Sequence, residues 1–147
     1  MPTTYLVSCV SKKLERPTEA QDLYISAWFK KAKAYVEQAG SAWYILSAKH
    51  GLLDPTEVIS PYDKTLRSLP KGERREWARG VLQSLENKLS RGDTVIFLAG
   101  ITYREFLTEP LQQIGVKVVI PMKGLAIGKQ NQWLLRKLAK RPTVSRT

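Results

Sequence analysis

The chain has 147 residues, 43% of them hydrophobic, and sets 24 Lys and Arg against 13 Asp and Glu, a formal net charge of +11. That length supports one domain with a real core. No apolar run approaches the roughly 20 residues that span a bilayer, and no basic segment leads into an apolar core at the start, so neither a membrane anchor nor a signal peptide is read. With one cysteine and one histidine, an intramolecular disulfide is excluded, a structural zinc site has no ligand set, and a reducing cytoplasm is the expected compartment.

The first expected strand is Thr4 to Val10, apolar and β-prone. A helix is expected from about Asp22 to Ala39, with Tyr24, Trp28, Ala32, Tyr35 and Ala39 at three- or four-residue spacing and Gly40 as its stop. Ala42 to Ser47 is the second strand. A long irregular loop, Lys49 to Leu69, follows it, and loops of that length are often functional. Glu73 to Leu89 is the next helix, with Trp77, Val81, Leu85 and Leu89 on one face. Thr94 to Ala99 is apolar throughout, as strands buried on both faces are. A helix from about Thr102 to Gln113, bent at Pro110, leads to a fourth strand, Val116 to Ile120. Ala126 to Lys140 is the last helix, with Ile127, Leu134 and Leu138 apolar, and Pro142 ends it.

This β-α-β-α-β-α-β-α order predicts an α/β fold: a single three-layer domain with a mostly parallel sheet of about four strands and helices on both faces. The domain is expected over residues 1–141, with 142–147 as a basic C-terminal tail. Beyond Glu109 there is no acid, whereas Lys117, Lys123, Lys129, Arg136, Lys137, Lys140, Arg141 and Arg146 follow. Such a field favours a polyanion, most simply nucleic acid, with DNA the first candidate.

Open parallel sheets bind ligands beyond the carboxyl ends of their strands. Those ends read Ser8-Cys9-Val10-Ser11-Lys12-Lys13, Ser47-Ala48-Lys49-His50-Gly51, Ala99-Gly100-Ile101-Thr102-Tyr103-Arg104 and Pro121 to Gln130. All four are rich in small residues, hydroxyls, amides or cations and are expected to converge on one rim. Lys12 and Lys13 suit phosphates, or a merely solvated surface. Cys9 is either a small buried hydrophobe or a thiol within reach of His50. Gly100 and Gly124 supply turn geometry or let backbone amides approach a ligand. The segment Gly124 to Gly128 lacks the spacing of a dinucleotide fingerprint or a P-loop, so no nucleotide cofactor is expected. Three acids stand out. Asp22 is placed to cap a helix, Asp54 before Pro55 favours a turn, and Asp63 after Pro61-Tyr62 is placed to pair with Lys64 or Arg67. Against those readings, a carboxylate near a sugar can stabilise an oxocarbenium ion or activate water.

Taken together, Cys9-x-x-Lys12-Lys13, Ala20-x-Asp22-Leu23-Tyr24, Ser47 to Pro55, Pro61-Tyr62-Asp63, Ala99-Gly100-x-x-Tyr103 and Gly124-Leu125-x-Ile127-Gly128-x-Gln130 resemble a bacterial and phage family of small uncharacterised domains. That family is similar in turn to the YaaA peroxide-stress proteins, whose central loop has Tyr where His50 stands here. The resemblance implies DNA binding, and through related domains it implies a DNA glycosylase acting on a modified base such as 5-hydroxymethyluracil. On that reading Asp63, Asp54 and Asp22 are the candidate catalytic acids. Cys9, Lys12, Lys13, Ser47, Lys49, His50, Gly51, Tyr62, Gly100, Tyr103, Gly124 and Gln130 form the binding site, and neither metal nor organic cofactor is needed. The helix-hairpin-helix element of YaaA is missing, with the basic C-terminal helix and tail as its candidate substitute. The alternative is a non-catalytic nucleic-acid or nucleotide-binding protein of stress response or phage defence.

Overall fold

In the computed structural model, which describes residues 2–8 and 13–139, the first apolar segment forms β1 (Thr3–Ser8), buried from Thr4 onward. A short strand β2 (Thr18–Glu19) leads into a single turn of helix, α1 (Ala20–Leu23), and then α2 (Ala27–Ala39). The expected helix from Asp22 is thus two pieces. The second starts where Ser26 accepts a hydrogen bond from the Phe29 N–H at 3.1 Å, a side-chain cap that gives the backbone an alternative to continuing the first turn. Asp22 lies inside α1 and is not its cap; its carboxylate pairs with Lys33 at 3.1 Å. Gly40 ends α2 in the left-handed conformation, φ 71°.

Next come β3 (Ala42–Ser47), β4 (Gly51–Leu53) and β5 (Val58–Ile59). The expected irregular loop is therefore partly ordered strand. β4 folds back antiparallel on β3, with Gly51 (φ 74°) opposite Ser47, and β5 pairs antiparallel with β2. A 3-10 turn at Leu66–Ser68 precedes α3 (Lys71–Leu85), which begins two residues before the expected start and stops four before Leu89. β6 (Thr94–Leu98), α4 (Ile101–Arg104), α5 (Thr108–Gln113), β7 (Lys117–Val119) and α6 (Ile127–Ala139) complete the described chain. The helix expected to bend at Pro110 breaks before it, at Glu105 to Leu107. Proline lacks an N–H and its ring clashes one turn back, so Pro110 is accommodated in the first turn of a new helix.

The sheet order is β4-β3-β1-β6-β7, with every pair parallel except β4 with β3. This is an α/β domain whose sheet has one strand more than the expected four, the antiparallel edge β4. From β1 the chain crosses to β3 on one side, then returns past β1 to β6 on the other. Crossovers of one hand but opposite direction put α2 and α3 on opposite faces of the sheet. α6 lies beside α2, tied by Trp28 Nε1 to Gln130 Oε1 at 2.9 Å and Lys31 Nζ to Asn131 Oδ1 at 3.0 Å. On the other face, α3 meets the α4 region through Arg74 with Glu105 at 3.1 Å and an edge-to-face contact of Trp77 with Tyr103.

The core forms where the two helix faces close on the central strands. Leu6, Val7, Ile45, Leu46, Phe97 and Leu98 are buried in the sheet, Phe29, Ala32 and Val36 on α2, and Ala78, Val81 and Leu85 on α3. The buried stripe of α2 runs through Trp28, Phe29, Ala32 and Val36, so the expected Ala39 falls on the exposed side. Of the apolar residues read on the last helix, Ile127 is 59% exposed, whereas Leu134 is buried. Among the described residues no helix is long and apolar enough to cross a membrane.

Candidate functional site

The strand order places a switch point between β1 and β6, where the connections leave in opposite directions. The carboxyl ends of two such strands diverge and leave a crevice, the usual ligand position in open α/β sheets. A cavity of about 430 Å³ lies there, lined at its base by Ser8 from the end of β1 and by Gly100, Thr102 and Tyr103 after β6. Trp28 of α2 and Ile127 and Gln130 of α6 form one wall. Lys13 and the exposed Lys64, Thr65 and Arg67 complete the lining at its rim. The volume falls within the roughly 300–1,000 Å³ of small-molecule sites.

Charge is one-sided here. Three cations line the cavity and no carboxylate does among the described residues. Lys64 and Arg67 have no ion-pair partner among those residues either. Lys13 is held over aromatic faces, with Nζ 4.6 Å from the Tyr62 ring centre and 5.7 Å from that of Tyr24. Its backbone bridges to Tyr24, so the ammonium is carried on a short antiparallel contact and not on a loose tail.

Behind Lys13 runs a chain of hydroxyls. Ser47, fully buried at the end of β3, donates to the Tyr62 hydroxyl at 2.8 Å, and the Tyr62 and Tyr24 hydroxyls share a hydrogen bond of 2.7 Å. Ser47 Oγ also accepts from the His50 N–H at 3.0 Å, closing the turn into β4. The Ser47 carbonyl accepts from Trp77 Nε1 at 2.8 Å. His50 meets Tyr62 edge to face, and its pKa is lowered by partial burial and then by the neighbouring Lys49 ammonium. Ser47, His50 and Tyr62 thus form a support for Lys13; none of them lines the cavity.

The expected convergence of four strand ends is met by three. β3 contributes no lining residue, because β4 folds straight back over its end. Of the binding residues read from the sequence, Lys13, Gly100, Tyr103 and Gln130 line this cavity, and Gly124, with Gly100 and Gln130, lines a smaller one beside it. Lys49 is exposed in the turn after β3, and Gly51 makes that turn. Cys9 and Lys12 lie outside the described residues, as does the basic tail.

None of the three acids lines the cavity. Asp22 is engaged by Lys33. Asp54 Oδ1 accepts from the Thr56 N–H at 3.0 Å and its hydroxyl at 2.8 Å, bonds that hold its pKa below the ordinary value. Asp63 is exposed, between Tyr62 and Lys64, and makes no ion pair with Lys64 or Arg67. Among the described residues no group of three His, Cys, Asp or Glu is placed to hold a metal ion.

The crevice, the apolar strands feeding it and the Gly100 and Gln130 segments all fall within residues 4–136, which match a family of unknown function, DUF6884. The chain belongs to DUF6884. It is also 34% identical over 67 residues to the uncharacterized protein YfjM of Bacillus subtilis strain 168; the match covers 41% of this chain and 45% of that relative, less than half the length of either. In this DUF6884 chain, Ser8, Trp28, Lys64, Thr65, Arg67, Thr102 and Ile127 are lining residues outside the binding set read from the sequence. Trp28 carries the helical spacing of a core residue, and Lys64 and Arg67 read as partners of Asp63. The one-dimensional signal for the rim was the density of cations and hydroxyls from Asp63 to Ser68.

Proposed function

We propose that the β1/β6 crevice binds a nucleotide, presented by nucleic acid or free. The observation that carries this reading is the combination of Lys13, Lys64 and Arg67 with the aromatic residues Trp28 and Tyr103 and, among the described residues, no lining carboxylate. Cations recognise phosphate, and Trp28 and Tyr103 offer apolar contact to a base or sugar. The hydroxyls of Ser8, Thr65 and Thr102 supply hydrogen bonds for polar edges. The formal charge of +11 gives the long-range attraction. Calorimetric titration with nucleoside monophosphates and with short single-stranded oligonucleotides tests it. Binding is expected, weakening as salt rises, and the double variant K64Q/R67Q is expected to lower affinity about tenfold or more. Absence of binding to every such probe removes the reading.

A catalytic extension rests on one position. Asp63 lies between the Lys13-supporting Tyr62 and the lining Lys64, and unlike Asp22 and Asp54 its carboxylate has no bonding partner among the described residues. A strand-bound base flipped into the crevice would bring its sugar to this rim, where Asp63 would stabilise the oxocarbenium ion and position water, in the manner of a YaaA-like DNA glycosylase acting on a 5-substituted pyrimidine. Oligonucleotides carrying modified bases are expected to release base and leave abasic sites. Asp63→Asn is expected to abolish release and keep binding; undiminished release would take Asp63 out of the reaction.

A further inference from the structure

On the far side of Gly100 lies a second cavity of about 200 Å³, between the ends of β6 and β7. It shares Gly100 and Gln130 with the crevice, so the two are contiguous. Its lining mixes the apolar side chains Phe97, Ile120, Met122 and Leu125 with polar surface, and Arg104 is its one charged group among the described residues. Arg104 Nε donates to the Ala99 carbonyl at 3.2 Å, which fixes the guanidinium plane. The rest of its donor fork has no bonding partner among the described residues, and no carboxylate pairs with it.

Apart from the Nε bond, this half-buried guanidinium lines a cavity with no acid in its described lining, so its desolvation is offset only in part within the described protein. An anion completes it, and the planar fork suits the oxygens of a phosphate. The cavity is smaller than the roughly 300 Å³ at which whole-ligand sites begin, so it fits a group at the end of a ligand seated next door. Two glycines, Gly100 and Gly124, line the second cavity. A Cβ built on Gly100 or Gly124 would meet no atom within 4 Å. The wall the two cavities share is rigid, because both ends of the Gln130 amide are engaged, Oε1 by Trp28 and Nε2 by the Leu125 carbonyl at 2.8 Å.

We infer that Arg104 and the second cavity form an additional phosphate subsite, so that the ligand is a nucleoside phosphorylated on both its 3′ and 5′ sides, the form in which a nucleotide occurs inside a nucleic-acid strand. One phosphate sits among Lys13, Lys64 and Arg67, the nucleoside lies across Gly100, and the other phosphate meets Arg104. The inference rests on the nucleotide reading of the crevice and narrows it to a strand-internal unit.

Calorimetric titration with thymidine 5′-monophosphate and thymidine 3′,5′-bisphosphate tests it. The bisphosphate is expected to bind the wild-type protein about tenfold or more tightly than the monophosphate, the scale of one charge-assisted phosphate contact. Arg104→Gln is expected to erase that advantage while leaving monophosphate affinity unchanged, and Arg104→Lys to keep part of it. Gly100→Val serves as a second variant. The Gly100 backbone, φ −69°, suits any residue, and an added Cβ meets no atom within 4 Å; the variant is expected to keep the wild-type urea midpoint and to lose most of the bisphosphate advantage. Equal affinity of the two probes for the wild type, or an advantage that survives Arg104→Gln, overturns the inference and leaves the nucleotide reading standing. If neither probe binds, the nucleotide reading itself falls and the inference with it.

Discussion

The β1/β6 crevice and the Ser47–Asp63 segment are both polar, both follow a buried parallel strand, and they use their polar groups in opposite ways. In the segment, Ser47 is bonded with Tyr62 and His50 and the Asp54 carboxylate with Thr56, whereas the Asp63 carboxylate at its end has no partner among the described residues. In the crevice, Lys64 and Arg67 meet no acid among the described residues. A polar side chain satisfied at home contributes stability, whereas one left facing a cavity is a candidate for recognition. Residue types that suggest chemistry in a sequence can belong to either class, and the hydrogen-bond partners decide which.

Substitutions on the two sides sharpen this contrast. The largest effect is expected at Tyr62, where Tyr62→Phe removes the bonds to Ser47 and Tyr24. A loss of about 1–3 kcal/mol is expected from the urea midpoint at unchanged m-value. A fall in nucleotide affinity without loss of stability would put Tyr62 on the ligand side and break the comparison. Trp28→Phe removes the bond to Gln130 across α2 and α6 and should cost about 1 kcal/mol. Because Trp28 lines the crevice, nucleotide affinity should fall as well; full affinity would show that this wall is not touched by ligand.

Smaller effects test the segment's electrostatics. Bonds from the Thr56 N–H and hydroxyl depress the Asp54 pKa below 3.8. Unfolded Asp54 therefore binds a proton before folded Asp54 does, so its stabilisation is complete above pH 3.8 and is lost as pH falls through the lower folded value. Asp54→Asn should flatten that part of the acid unfolding curve and leave nucleotide affinity unchanged. The smallest effect concerns His50, the single histidine. Its one imidazole resonance should titrate with a midpoint below 6.5 in the folded protein. The unfolded chain takes up the proton first, so the His50 contribution falls as pH drops below 6.5. A midpoint above 6.5 would mean that a carboxylate outweighs both burial and the Lys49 ammonium.

Part of this architecture was legible in one dimension. Leu6-Val7, Ile45-Leu46 and Phe97-Leu98 are apolar runs too short for helices, and all six residues are buried in parallel strands. Gly40 stops α2 because a left-handed residue was needed there. Gly100, Tyr103 and Gln130 were found by a topological rule, that strand ends converge. What was lost was lost for physical reasons. Asp22 stands one turn early in a helix that Ser26 restarts, and Trp28 carries core spacing while its indole edge reaches the cavity.

Local pattern, then, determined the alternation of strands and helices, the parallel character of the sheet and the excess of basic charge, because each depends on neighbours within a few residues or on composition alone. Tertiary structure decided the order β4-β3-β1-β6-β7, the antiparallel return of β4 that closes off the end of β3, and the identity of the crevice. Those depend on contacts between distant positions, such as Tyr24 with Tyr62 at a separation of 38 residues and Trp28 with Gln130 at 102. No periodicity records such pairs, since they form only when packing of the two helix layers brings the strand ends to one edge.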